Sequence, residues 1–319
     1  MRPRLHPQAE ALLAIVERPG NPPLHELEVP AARLATRKLH FAFRSPPPAG
    51  VATKDVVLSR AGGEEGGPLA ARIYRPASIP GDELLPVLVW FHGGGWVVGD
   101  LDSHDVLCGE LCLLARAAVV SVDYRLAPEH RFPSAALDAV FAVRYLRQHA
   151  RELALDGTRV AVGGDSAGGT LATVAALTLR DAGEAPLRFQ LLVYPSTDQL
   201  TASRSRTAFA EGLLLTRETM RYFEKRYLRS REDAADWRAS PQLAPSLAGL
   251  PPALLIAAEF DPLVDEGKAY AARLEASGVP VTYSCYPGVL HGFFLLGKAY
   301  DAGRAAVKEA GLALLRALT

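Results

Sequence analysis

From residue 87 onward, short apolar runs alternate with amphipathic helical patterns, and that alternation leaves few folds open. Strand-like runs read at 87–91, 118–123, 160–162, 189–194, 253–258 and 281–286. Helical spacing at 104–116, 134–149, 168–181 and 262–276 separates most of them, and a further helical stretch follows at 302–317. Strand–helix alternation builds a mostly parallel sheet with helices on both faces. Two earlier runs, 55–59 and 71–74, sit close together across "RAGGEEGGP" and read as an antiparallel pair. The expectation is an α/β fold of about eight strands.

Two stretches interrupt the alternation. Residues 1–50 carry one or two amphipathic helical patterns and then "SPPPAG"; residues 197–248 carry "FAEGLLLTRETMRYFEKRYL" within irregular polar sequence. Excursions of this kind pack over the carboxyl edge of a sheet, where ligands bind. With no internal repeat or low-complexity linker, residues 1–319 read as one domain carrying 1–50 and 197–248 as cap elements.

Charge narrows the partners. Lys+Arg and Asp+Glu both number 35, which gives no electrostatic case for nucleic acid or an anionic membrane. Acids interrupt local basic clusters such as "RYFEKRYLRSRE", as on a solvated helix face. No apolar stretch approaches a membrane span, and the apolar run at 11–16 is flanked by Glu10 and Glu17, unlike a secretory leader. Cys108, Cys112 and Cys285 show no metal-ligand spacing and read as small core residues. A cytoplasmic protein, monomer or homodimer, without metal or organic cofactor, is expected.

The stretch "RVAVGGDSAGGTLATVAALTLR" places Ser166 on the turn from a strand into a helix. A Ser there can serve as an N-cap. It can also be a nucleophile, because Gly164-Asp165-Ser166-Ala167-Gly168 fits G-x-S-x-G, a strained turn whose flanking positions must lack side chains. Phosphate binding fits poorly, since no Lys-Ser/Thr follows the glycines. With 27 Gly in the chain the motif arises by chance in roughly one such sequence in ten, so it does not decide alone.

A second motif does. "PVLVWFHGGGWVVGD" follows the third strand-like run, and His92-Gly93-Gly94-Gly95 is the pattern of an esterase oxyanion loop. Consecutive glycines bring bare N–H groups against a ligand, and the Ala167 N–H adds a donor just after the nucleophile. His92 reads as a brace for that loop. On such a fold the order is Ser, acid, His, and the only His after Ser166 is His291 in "YPGVLHGFF". For the acid, Asp261 and Asp198 both end apolar runs; Asp265 lies one turn into a helix and reads as a helix-face residue. The short Asp261-Pro262-Leu263 entry into a helix favours Asp261. Asp165 reads as a local ion-pair partner pointing away from Ser166.

Together "HGGGWVVGD", "DYRLAPEHRFP", "GGDSAGG", "EGLLLT", "EFDPLVDEG" and "HGF" resemble the hormone-sensitive lipase family of bacterial carboxylesterases, in its GDSAG subgroup, collinearly from about 85 to 295. The resemblance implies the α/β-hydrolase fold. It also implies a triad of Ser166, Asp261 and His291, oxyanion donors Gly94, Gly95 and Ala167, a loop shaped by Gly93, and an N-terminal cap. The expected substrate is a small short- to medium-chain ester, with Trp96, Phe209, Leu213 and Leu214 as candidate pocket residues. An amidase, a peptidase or a lipase on the same fold, a non-catalytic ligand receptor, and a purely structural interaction protein are the competing readings.

Overall fold

The computed structural model describes residues 4–18, 20–60 and 66–319. In chain order, helices α1 (Pro7–Val16) and α2 (Val29–Phe43) precede strands β1 (Val51–Leu58), β2 (Leu69–Pro76) and β3 (Leu85–Phe91). Then come α3 (Asp105–Ala115), β4 (Ala118–Asp123), α4 (Ser134–Gln148), β5 (Leu155–Asp165), α5 (Ala167–Asp181) and β6 (Phe189–Val193). Two short helices, α6 (Arg204–Ala208) and α7 (Arg217–Tyr227), fill the excursion before β7 (Ala253–Phe260), α8 (Val264–Ala276), β8 (Val281–Leu290) and α9 (Asp301–Leu318).

The eight strands form one sheet in the order β1-β2-β4-β3-β5-β6-β7-β8. β1 pairs antiparallel with β2, as the Gly-rich connector suggested, and β2 antiparallel with β4; every later pairing is parallel. The middle residues of the connector, 61–65, lie outside the described residues. Strand alternation sends side chains to two separate cores. Val87, Val89 and Phe91 of β3 face the layer of α4, α5 and α8. Leu88 and Trp90 face the layer of α3 and α9. Every residue of β3 is buried, which is why its sequence is continuously apolar rather than alternating.

The order matters for the site. β3 lies between β4 and β5, and its partners run Phe91↔Gly164, so the loop after β3 and the turn after β5 emerge side by side. The carboxyl ends of β7 and β8 come up on the far side of β6.

The two interrupting stretches behave differently from one another. α1 packs on β8 and α9 rather than over the strand ends: the His6 N–H donates to the Gly288 carbonyl at 2.8 Å, and Gln8 Nε2 donates to Asp301 at 3.1 Å. α2 reaches the loop after β3, where Arg33 Nε donates to the Val97 carbonyl at 2.9 Å. The 197–248 excursion is fastened to α8: Thr197 N–H donates to Glu266 at 2.8 Å and Ser205 N–H to Asp265 at 2.8 Å. Asp265 is therefore a tie to the excursion as well as a helix-face residue. Cys108 and Cys112 are buried as expected, but Cys285 is exposed, because it points outward on the edge strand β8.

Candidate active site

Ser166 sits between β5 and α5 with φ 53° and ψ −118°, a conformation that costs a non-glycine residue energy. Its hydroxyl makes no helix-capping bond. The turn is held by contacts that only glycine allows. A Cβ on Gly164 would meet Gly168 at 2.3 Å, and one on Gly168 would meet the Phe91 carbonyl oxygen at 1.9 Å. The G-x-S-x-G spacing is thus a steric requirement of bringing α5 so close to β3.

From that turn the Ser166 Oγ lies 3.0 Å from His291 Nε2, and His291 Nδ1 lies 2.6 Å from Asp261 Oδ2. Asp261 directly follows β7 and His291 directly follows β8. The Asp261 carboxylate is fully buried, and its other oxygen accepts the Leu263 N–H at 2.8 Å. With Nδ1 donating to Asp261, Nε2 is left as the acceptor facing the Ser166 hydroxyl. The Tyr194 ring, 4.5 Å from the imidazole, closes its other side. Asp198 is engaged elsewhere, its carboxylate accepting the Leu200 N–H at 2.9 Å.

The loop after β3 forms the opposite wall. Gly94 and Gly95 take φ +121° and +58°, and a Cβ at Gly94 would lie 2.1 Å from the Val98 carbonyl oxygen. Val97 and Val98 N–H groups both donate to the Gly94 carbonyl, which turns the loop back on itself. The N–H groups of Gly94, Gly95 and Ala167 donate to no acceptor among the described residues. His92 is fully buried, stacks on Tyr124 at 4.3 Å, and its Nδ1 lies 2.8 Å from the Gly93 carbonyl. Burial pushes its imidazole down to about 4, so it stays neutral.

Asp165 points away from Ser166, and its part is larger than a local ion pair. Its Oδ1 accepts the Gly93 N–H at 2.9 Å and lies 3.1 Å from His104 Nε2. Burial raises its pKa, but His104, then His92 and the Gly93 N–H, outweigh it and hold the carboxyl below its ordinary value. His104 carries no motif in the sequence, and only the fold brings it to Asp165. Arg206, Glu224 and His40 also border the site, and none of them carries a motif either.

A cavity of about 170 Å³ opens above Ser166. Trp96 and Leu214 line it, as does Leu215. Phe209 and Leu213 do not: the Phe209 ring packs 5.4 Å from Phe260, and Leu213 packs against the core shared by α3 and α9. Of the hydrophobic run 213–215, only the last two residues reach the cavity. α7 supplies Met220 and Phe223 instead. No group of metal-ligating side chains occurs among the described residues.

An eight-stranded, mostly parallel sheet carrying a Ser on the strand–helix elbow defines an α/β hydrolase. A family model described as "alpha/beta hydrolase fold" matches residues 88–295. The chain is 47% identical over 248 residues to the carboxylic ester hydrolase LipN of Mycobacterium tuberculosis, covering 74% of this chain and 65% of that protein. It is 39% identical over 314 residues to an ethyl acetate hydrolase of Pseudomonas putida, covering 96% and 98%. A thermostable esterase of Pseudomonas putida ECU1011 superposes with a TM-score of 0.93 at 37% identity, over 100% of this chain and 99% of that one. The chain belongs to the hormone-sensitive-lipase-like family of α/β hydrolases, and it is a carboxylic ester hydrolase.

Proposed function

We propose that the protein hydrolyses short- to medium-chain acyl esters through Ser166, His291 and Asp261. The supporting observation is the hydrogen-bonded line Ser166–His291–Asp261 at the ends of three strands, facing three unengaged N–H groups. His291 takes the Ser166 proton as its oxygen attacks the ester carbonyl, and the acyl group is transferred to Ser166. Gly94, Gly95 and Ala167 N–H groups hold the developing oxyanion, while Asp261 keeps the imidazole in the productive tautomer. The alcohol leaves with the proton from His291, and a water activated by the same nitrogen frees the acid. Of the expected cap elements 1–50 and 197–248, α2 and the 197–248 excursion serve as the cap, a reading supported by α2 and α7 bordering the cavity, while α1 packs on β8 and α9.

The small cavity, walled by Trp96, Leu214, Leu215, Met220 and Phe223, supports short to medium acyl chains. The protein then acts in the cytoplasm on a small ester, as monomer or homodimer; no helix among the described residues is long and apolar enough to cross a membrane. The experiment is a series of 4-nitrophenyl esters of increasing chain length. Rates that peak early support the reading, and rates that keep rising to the longest esters with interfacial activation make the enzyme a lipase.

A further inference from the structure

One wall of the cavity carries polar atoms that the reaction above does not use. Thr36 and His40, one turn apart on α2, both line the cavity. Thr36 Oγ1 and His40 Nδ1 are buried and have no hydrogen-bond partner among the described residues. Side chains at i and i+4 lie about 5–6 Å apart at Cβ on one helix face, near enough for two polar atoms to reach a single oxygen between them. A helical Thr hydroxyl commonly bonds its own preceding turn, and this one does not. Leu24, Leu39 and Leu296 line the same cavity, as do the charged Arg206 and Glu224. A buried polar atom left unsatisfied is costly, so two on one face of a substrate cavity mark where a ligand's own polar group belongs.

We infer that Thr36 and His40 form a recognition site for a hydroxyl group on the ester, so that the preferred substrates are esters of hydroxy acids or of polyols. A hydroxyl both donates and accepts. The Thr36 hydroxyl can do either, and a neutral imidazole nitrogen does one or the other according to its tautomer. Burial, then the neighbouring His104, pushes His40 down to about 4, so it is neutral and offers no charge to a carboxylate. The pair therefore matches a neutral hydroxyl better than an anion. The inference rests on the esterase reading and adds its substrate class.

The test uses matched esters in which a hydroxyl replaces a methyl group. Ethyl 3-hydroxybutyrate with ethyl 3-methylbutyrate probes the acyl side; 2-hydroxyethyl butyrate with propyl butyrate probes the alcohol side. The wild-type enzyme is expected to favour the hydroxylated member of one pair by roughly tenfold in kcat/KM. Thr36→Val and His40→Phe each bring that ratio toward one, whereas Thr36→Ser, which restores a hydroxyl, keeps it. A wild-type ratio near one in both pairs overturns the inference, as does a ratio that the Val and Phe variants leave untouched. Loss of turnover on 4-nitrophenyl acetate by the wild-type enzyme would instead sink the esterase reading beneath it.

Discussion

At the scale of single residues, the proposed mechanism gives two aspartates different parts, one catalytic and one supporting. In the proposed triad, Asp261→Asn removes the carboxylate charge and sets an amide that can donate to Nδ1, favouring the wrong tautomer; it is expected to lower kcat about 10⁴-fold, and Ser166→Ala by roughly 10⁴–10⁶. Asp198→Asn, whose carboxylate only fastens its own loop, keeps most turnover. Comparing kcat for the three variants decides the assignment, and an inactive Asp198 variant reverses it. Gly168→Ala is expected to cost about 1–3 kcal/mol of stability or more, because its Cβ would lie 1.9 Å from the Phe91 carbonyl oxygen. Thermal unfolding of the purified variant measures it. Residues of this kind were legible in the sequence because their chemistry is carried by adjacent positions, as in His92–Gly95 and Gly164–Gly168. His104 and His40 were not, since their partners lie far away in the chain and no local spacing announces them.

At the scale of elements, the central strands β3, β4, β6 and β7 were readable because they are buried along nearly their whole length and so almost continuously apolar. β5, also central, is the exception: only 160–162 reads as strand, yet it runs from Leu155 to Asp165, since residues 156–159 are partly exposed and polar or Gly and residues 163–165 are Gly-Gly-Asp. The excursion was legible as an interruption but not as a surface. The run 213–215 gave two residues to the cavity, Leu214 and Leu215, while α7, a strongly charged helix by composition, gave Met220 and Phe223. A Cβ on Gly95 would meet the Phe223 ring at 2.2 Å, so α7 rests directly on the glycine loop. Shortening Met220 to Ala opens the α7 wall and is expected to shift the acyl-length optimum upward. One methylene in an apolar pocket changes kcat/KM about tenfold. An unchanged length profile would remove α7 from the acyl site.

At the scale of the whole molecule, acid should weaken the fold through the buried histidine at its centre. Unfolded, His92 binds a proton below its ordinary 6.5; folded, burial holds it neutral to about 4. His104 pushes in the same direction, while the Gly93 carbonyl, Asp165 and Asp100 partly oppose it. Between those two values the unfolded chain binds more protons, so stability falls as pH drops from about 6.5 toward 4. His92→Phe keeps a ring over Tyr124 and removes the proton site, so its urea midpoint should vary less steeply across that window. Parallel pH curves for variant and wild type would exclude His92 as the source. The packing of α1 on Gly288 and Asp301 has a further consequence, for the timing of synthesis on the ribosome. The segment carrying Thr36 and His40 is made before any strand of the sheet, yet the surface that anchors its beginning is made near the end. An emerging chain must therefore carry an undocked amphipathic stretch through most of translation, and the substrate chamber closes only after β8 has left the exit tunnel.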